Sequence, residues 1–142
     1  MKTKKILNIG FISSLLLLFF SCRKYEDGPT IGLGGPTYRL TDKVWEMEKV
    51  ILNDSDYTAA WKFQYPGYEI IYKSNYTYSV TWASVTTKGK WEFQNKKREL
   101  VRIPDGFDRR NVFTIKRLSA NELWLSYSDD FAKYDTQLKK KK

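Results

Sequence analysis

The sequence predicts an all-β protein: a small antiparallel, up-and-down barrel of about eight strands, placed after a signal peptide and a flexible tether. Three observations predict it. From Lys43 onward the chain breaks into short runs rich in Trp, Tyr, Val, Ile and Thr, spaced about ten residues apart. Turn-forming clusters such as Lys73-Ser74-Asn75 and Pro104-Asp105-Gly106 separate the runs. Within the runs apolar and polar residues alternate with period two, and no convincing helical period is present.

The first strand is expected over 43–53, "KVWEMEKVILN". Asp54-Ser55 opens a turn. The segment "YTAAWKFQYPG" fits a short strand, a helical turn or a loop equally, and Pro66-Gly67 closes it. Further strands are expected over 68–72, 76–82, 88–93, 98–103, 111–118, 122–128 and 133–139. Alternation sets Gly89, Trp91 and Phe93 against Lys88, Lys90 and Glu92. Leu123, Leu125 and Tyr127 oppose Glu122, Trp124 and Ser126, and Phe113 and Ile115 oppose Thr114 and Lys116. Tyr76, Tyr78, Val80 and Trp82 oppose Thr77, Ser79 and Thr81. In 98–103, Val101 and Ile103 are expected to face inward, with Leu100 and Arg102 on the wet face. Closing such a sheet on itself removes edges that would otherwise invite aggregation.

Ahead of the strands, Lys2, Lys4 and Lys5 precede an apolar run, Ile6 to Phe20, and then small Ser21. Positive charge, apolar run and small residue in that order mark a secretory signal. The run is shorter than the roughly 20 apolar residues of a membrane-spanning helix. "FFSC" resembles the lipobox of bacterial lipoproteins, with Ser21 before the cleaved bond and Cys22 as the acceptor. A thiolate is the strongest side-chain nucleophile near neutral pH, so Cys22 can take a diacylglyceryl group. Cleavage would free its amino group for a further acyl chain such as palmitate, and two chains already give stable anchoring. The expected organisation is a signal peptide over 1–21, a lipidated Cys22 with a Gly- and Pro-rich tether over 22–41, and a barrel with a basic tail over 42–142. An outer-membrane lipoprotein of the cell envelope is expected, facing either the periplasm or the surface.

The net charge of +9 suggests nucleic acid, but three signal lysines and the terminal Lys139–Lys142 run carry most of it. The body keeps only +2, so no nucleic-acid partner is expected. The chain has no histidine and one cysteine, Cys22. That removes His-dependent triads and the usual zinc sets. No metal, no cofactor beyond the covalent lipid, and no enzyme activity are expected. The pairs Glu46/Glu48 and Asp129/Asp130 lie in charged or turn-rich contexts and read as solvated surface.

Five Trp and ten Tyr are the main positive signal. Most are expected in the core and in cross-strand pairs. A subset at the barrel mouth is the candidate ligand site: Trp61, Tyr65 and Tyr68 in the irregular segment, with Tyr78 and Trp82 on the next strand. Trp124, on the wet face by alternation, is a candidate partner contact.

The segments "KYEDGPTIGL", "RLTDKVWEMEKV", "GKWEF" and "IKRLSANELWLSY" together resemble the lipocalin-like lipoproteins of Bacteroidetes, over roughly residues 22–139. Trp45 matches the tryptophan that closes the lipocalin floor, with Lys43 standing where those proteins carry glycine. The resemblance implies an up-and-down barrel with an interior cavity. The expected function is a membrane-tethered, monomeric binding protein for a small hydrophobic or amphipathic ligand. The alternative is a non-enzymatic accessory or structural envelope lipoprotein that contacts a protein or glycan partner.

Overall fold

In a computed structural model describing residues 24–28 and 34–142, nine strands and two short helices follow one another along the chain. Helix α1 is Pro36–Leu40, β1 is Val44–Leu52, β2 is Ser55–Asp56 and α2 is Thr58–Gln64. Then come β3 (Glu69–Tyr72), β4 (Thr77–Trp82), β5 (Val85–Gln94), β6 (Glu99–Pro104), β7 (Asn111–Leu118), β8 (Glu122–Ser128) and β9 (Lys133–Lys140). All neighbours pair antiparallel, and β1 also pairs with β9 from Trp45↔Lys140 to Leu52↔Tyr134. That last pairing closes the sheet into an eight-strand barrel, with β2 a two-residue hairpin arm on β1. The expected all-β barrel is therefore the fold.

One seam explains the ambiguous segment. β1 pairs with β3 only over Val44–Glu46, which leaves the far half of β1 without that neighbour. Helix α2 covers it. The Val50 amide donates to Thr58 Oγ1 at 3.1 Å, and the Tyr57 amide donates to the Val50 carbonyl at 2.9 Å. Asp56 Oδ1 accepts from the Thr58 amide at 2.9 Å, an Asx turn leading into the helix. "TAAWKFQ" is thus helical, where the sequence left strand, helix and loop open.

Cross-strand register sets the faces. Trp91 and Phe93 point inward, and they stand opposite Arg102 and Leu100. Leu100 in turn opposes Phe113. Leu100 and Arg102 therefore face the interior, which corrects the expected assignment for this strand. Val101 is buried too, but outside the main core cluster. Tyr76 also departs from expectation. It lies in the turn before β4 with φ of 65° and is exposed, rather than sharing the inward face of Tyr78 and Val80.

The core is densest at the end where β1 begins. Trp45, Leu40, Leu100, Leu118 and Leu123 are fully buried there. The Trp45 indole N–H donates to the Leu40 carbonyl at 2.9 Å, so α1 plugs the barrel and satisfies the indole in one contact. The segment expected as a free tether over 22–41 is fixed along its described parts. Tyr25 is buried, and its hydroxyl donates to the Lys97 carbonyl at 3.0 Å. The Asp27 amide donates to the Lys116 carbonyl at 2.8 Å, Arg117 donates to the Asp27 carbonyl at 2.6 Å, and Glu26 pairs with Lys116. Cys22 and the segment expected as a signal peptide lie outside the described residues. Among the described residues no helix is long and apolar enough to cross a membrane.

Candidate functional site

The opposite end is open and hollow. Here the chain supplies α2, the β4–β5 turn, the β6–β7 loop and the β8–β9 turn. A cavity of 740 Å³ runs in from this mouth. Met47, Ile70, Val80, Leu125 and Leu138 form aliphatic wall, while Tyr72, Tyr78, Phe113, Tyr127 and Tyr134 form aromatic wall. Thr86, Thr87, Lys88, Asp105 and Phe107 make a more polar, exposed rim.

Small residues occupy several inward register positions beside the hollow. Gly89 faces inward beneath the Tyr78 ring, which it pairs with across the strands. A Cβ at Gly89 would lie 2.3 Å from the Ile103 carbonyl oxygen and 2.7 Å from Tyr78 Cε1. Thr87 and Thr136, at inward register positions across from Val80 and Leu125, likewise add little bulk.

Of the five aromatics singled out from the sequence, Trp61, Tyr68 and Tyr78 line the cavity, and Tyr65 and Trp82 do not. The last two brace the first. Tyr65 packs on Trp61 with ring centroids 4.4 Å apart, and meets Trp82 edge-on at 6.0 Å. Tyr68 meets Trp61 edge-on at 5.9 Å. These contacts tie α2 to the barrel wall and hold the Trp61 indole at the mouth. Its Nε1–H is buried and has no protein acceptor.

Sequence reasoning missed Arg102. Protein surrounds this side chain on all sides, although water reaches part of it through the hollow. Its guanidinium carbon sits 3.8 Å from the centroid of the Phe113 ring, a close cation–π contact. The Tyr68 side chain lines the same space, and the guanidinium Nε has no protein acceptor. No carboxylate among the described residues forms an ion pair with it. Burial works against its charge, but the adjoining Tyr72 and Tyr68 hydroxyls more than offset this and hold its pKa above the ordinary value. Burial likewise pushes the Tyr72 and Tyr78 phenols up, so both stay neutral hydroxyls at physiological pH. Below its rim the cavity therefore offers the Arg102 charge, the neutral Tyr72 and Tyr78 hydroxyls and a largely apolar wall.

The other candidates are surface features. Lys139 lies 3.7 Å from Glu46 and 3.9 Å from Glu48, both in solvent-facing positions. Asp129 Oδ1 accepts the Phe131 and Ala132 amides at 2.9 Å, which lowers its pKa and shapes the β8–β9 turn. Trp124 lies on the outer face, half-buried, with the Arg117 guanidinium 5.1 Å from its ring centroid. No group of three or more metal-ligating side chains occurs among the described residues.

A closed antiparallel barrel with one filled end and one hollow end is the class of protein this geometry defines. A crystal structure of a DUF4847 family protein from Bacteroides vulgatus ATCC 8482 is similar to this chain, with a TM-score of 0.49 and 12% identity over 70% of this chain and 93% of that one. The fold stands on the strand pairing itself rather than on that likeness. No protein-family model matches the chain, and no curated protein matches it significantly.

Proposed function

We propose that the protein is a lipid-anchored, lipocalin-like binding protein of the cell envelope that holds a small hydrophobic or amphipathic ligand in its barrel and performs no chemistry on it. The observation that carries this reading is the 740 Å³ cavity with its aliphatic and aromatic wall. Small-molecule sites span about 300–1,000 Å³ and share that mostly apolar lining with a few convergent polar groups. Anchoring is supported by the order of charge, apolar run and Ser21 ahead of Cys22.

The buried Tyr25 adds an orientation to this reading. Three residues of chain reach at most about 10 Å, so a lipid on Cys22 would hold the filled end of the barrel against the membrane. The mouth then faces away from that membrane, toward the aqueous compartment from which a ligand would arrive.

Native mass spectrometry of the full chain released gently from envelopes tests the binding reading. A bound small molecule, released on collisional activation, is the expected result. A bare mass together with no uptake of any apolar probe would overturn it.

A second reading, an accessory envelope protein that contacts another protein or a glycan, draws on one observation. Phe63, Phe107 and Phe131 are 90%, 69% and 91% exposed and all lie on mouth segments. Crosslinking in intact envelopes would favour that reading if a partner attached at these positions while the cavity stayed empty.

A further inference from the structure

The cavity is not uniformly apolar, and below its polar rim the Arg102 guanidinium is an exception of the costly kind. A buried guanidinium normally has a carboxylate beside it. Arg102 has Phe113 under its guanidinium, its Nε has no acceptor, and no acidic side chain among the described residues pairs with it. Nothing in the fold demands a cation here. Its neighbours across the sheet are Trp91 and Asn111, and an aliphatic or aromatic residue would continue the core. A positive charge kept in such a place fits a counter-charge brought in by the ligand.

From the unpaired Nε of Arg102 inside a mostly apolar cavity, with the unpaired indole N–H of Trp61 lining the same space, we infer that the ligand is an aliphatic monocarboxylate whose head group Arg102 takes. This rests on the ligand-binding reading above and deepens it. The guanidinium presents a planar fork of donors, which matches the two oxygens of a carboxylate. Stacking on Phe113 fixes the plane of that fork. The Tyr68 and Tyr78 side chains line the same space, and their hydroxyls can donate to the same head group. The aliphatic chain then lies along Met47, Ile70, Val80, Leu125 and Leu138. A neutral ligand of the same shape would leave the guanidinium as it stands and would gain only the tail contacts.

The test compares dodecanoate with dodecanol by isothermal titration calorimetry on the full chain in lipid nanodiscs, with empty nanodiscs as the blank. The wild-type protein should bind the acid about ten- to a hundredfold more tightly than the alcohol. Equal affinities would overturn the carboxylate assignment and leave the apolar site standing. Binding of neither would overturn the site itself, and the assignment with it. Arg102→Met should reduce acid binding to the level of the alcohol while alcohol binding persists; an acid preference that survives this substitution would also overturn the assignment. Should Arg102→Met not fold, Arg102→Lys keeps the charge but loses the fork, and an intermediate preference is expected.

Discussion

The two ends of this barrel are made from the same alternating strands, yet one is filled and the other hollow. At the filled end Trp45, Leu40, Leu118 and Leu123 interlock, every side chain fully buried, and the Trp45 and Trp91 indoles donate to the Leu40 and Lys73 carbonyls. At the hollow end the inward positions include Thr87 and Thr136, and two buried donors that line the cavity, on Trp61 and Arg102, find no protein acceptor; the Trp124 indole on the outer face has none either. The difference separates stability from function. Interlocked apolar side chains stabilise the closed sheet, whereas unfilled volume and unpaired donors cost stability, the pattern that the proposed ligand site accounts for.

Substitutions should divide along that line. The largest effect is expected at the floor. Trp45→Ala removes a fully buried indole and should destabilise the protein by about 3–5 kcal/mol, read as a lowered urea midpoint. Beside the cavity Gly89→Ala forces a methyl group against the Ile103 carbonyl and the Tyr78 ring. It should cost about 1–3 kcal/mol, and because the displaced Tyr78 lines the cavity, ligand uptake should fall along with the midpoint. A Gly89→Ala protein of unchanged stability would show that the wall gives more readily than its contacts imply.

Alkaline pH sharpens the same contrast. Burial pushes the Tyr25 phenol from its ordinary 10.0 up to about 12, Arg39 drawing back only part of that shift. Between these values the unfolded chain has lost a proton that the folded chain keeps. The unfolded state then binds fewer protons, so stability is unaffected below about pH 10 and falls as pH rises from there. Urea midpoints measured across this range should drop, and Tyr25→Phe should flatten part of the drop. Outside both ends effects should be smallest. Phe131→Ser, at an exposed turn, should change stability by about 0.5 kcal/mol or less. Glu122→Gln, which breaks a solvent-facing pair with Arg117, should cost about 1 kcal/mol or less.

The floor was far more legible in the sequence than the mouth. Strand runs such as "NVFTIKRL" and "ELWLSYS" coincide with β7 and β8, because period-two alternation needs only one buried face to show. Helix α2 was not legible. Its seven residues are too few to establish a helical period, and its place is set by the missing length of β3 beside β1. The fixed position of Tyr25 was hidden for a similar reason. A Gly- and Pro-rich stretch reads as linker, and the contact with Lys97 joins residues 72 positions apart.

Arg102 is the instructive miss, since the information was present. "GKWEF" and "RELVRI" are joined by a tight turn with an even number of residues, so odd-numbered positions on β5 face even-numbered positions on β6. With Trp91 inward, Arg102 had to be inward as well. Treating each strand alone let the apolar Val101 and Ile103 claim the interior, whereas the hairpin register overrules that pattern. A charged residue placed inward by register among apolar neighbours is the signal that would have found the site.

The central claim is that the mouth, and not the floor, is where a ligand lies. Photocrosslinking tests it most directly. A diazirine-bearing alkyl probe, supplied as acid and as alcohol, would be irradiated with the full chain in nanodiscs, and the labelled residues mapped by peptide mass spectrometry. Labelling is expected within the cavity wall, at Met47, Tyr78, Phe113 or Leu125, and absent from Trp45, Leu118 and Leu123. Labelling confined to outer-face residues, or spread equally over the buried floor and the mouth, would contradict the account.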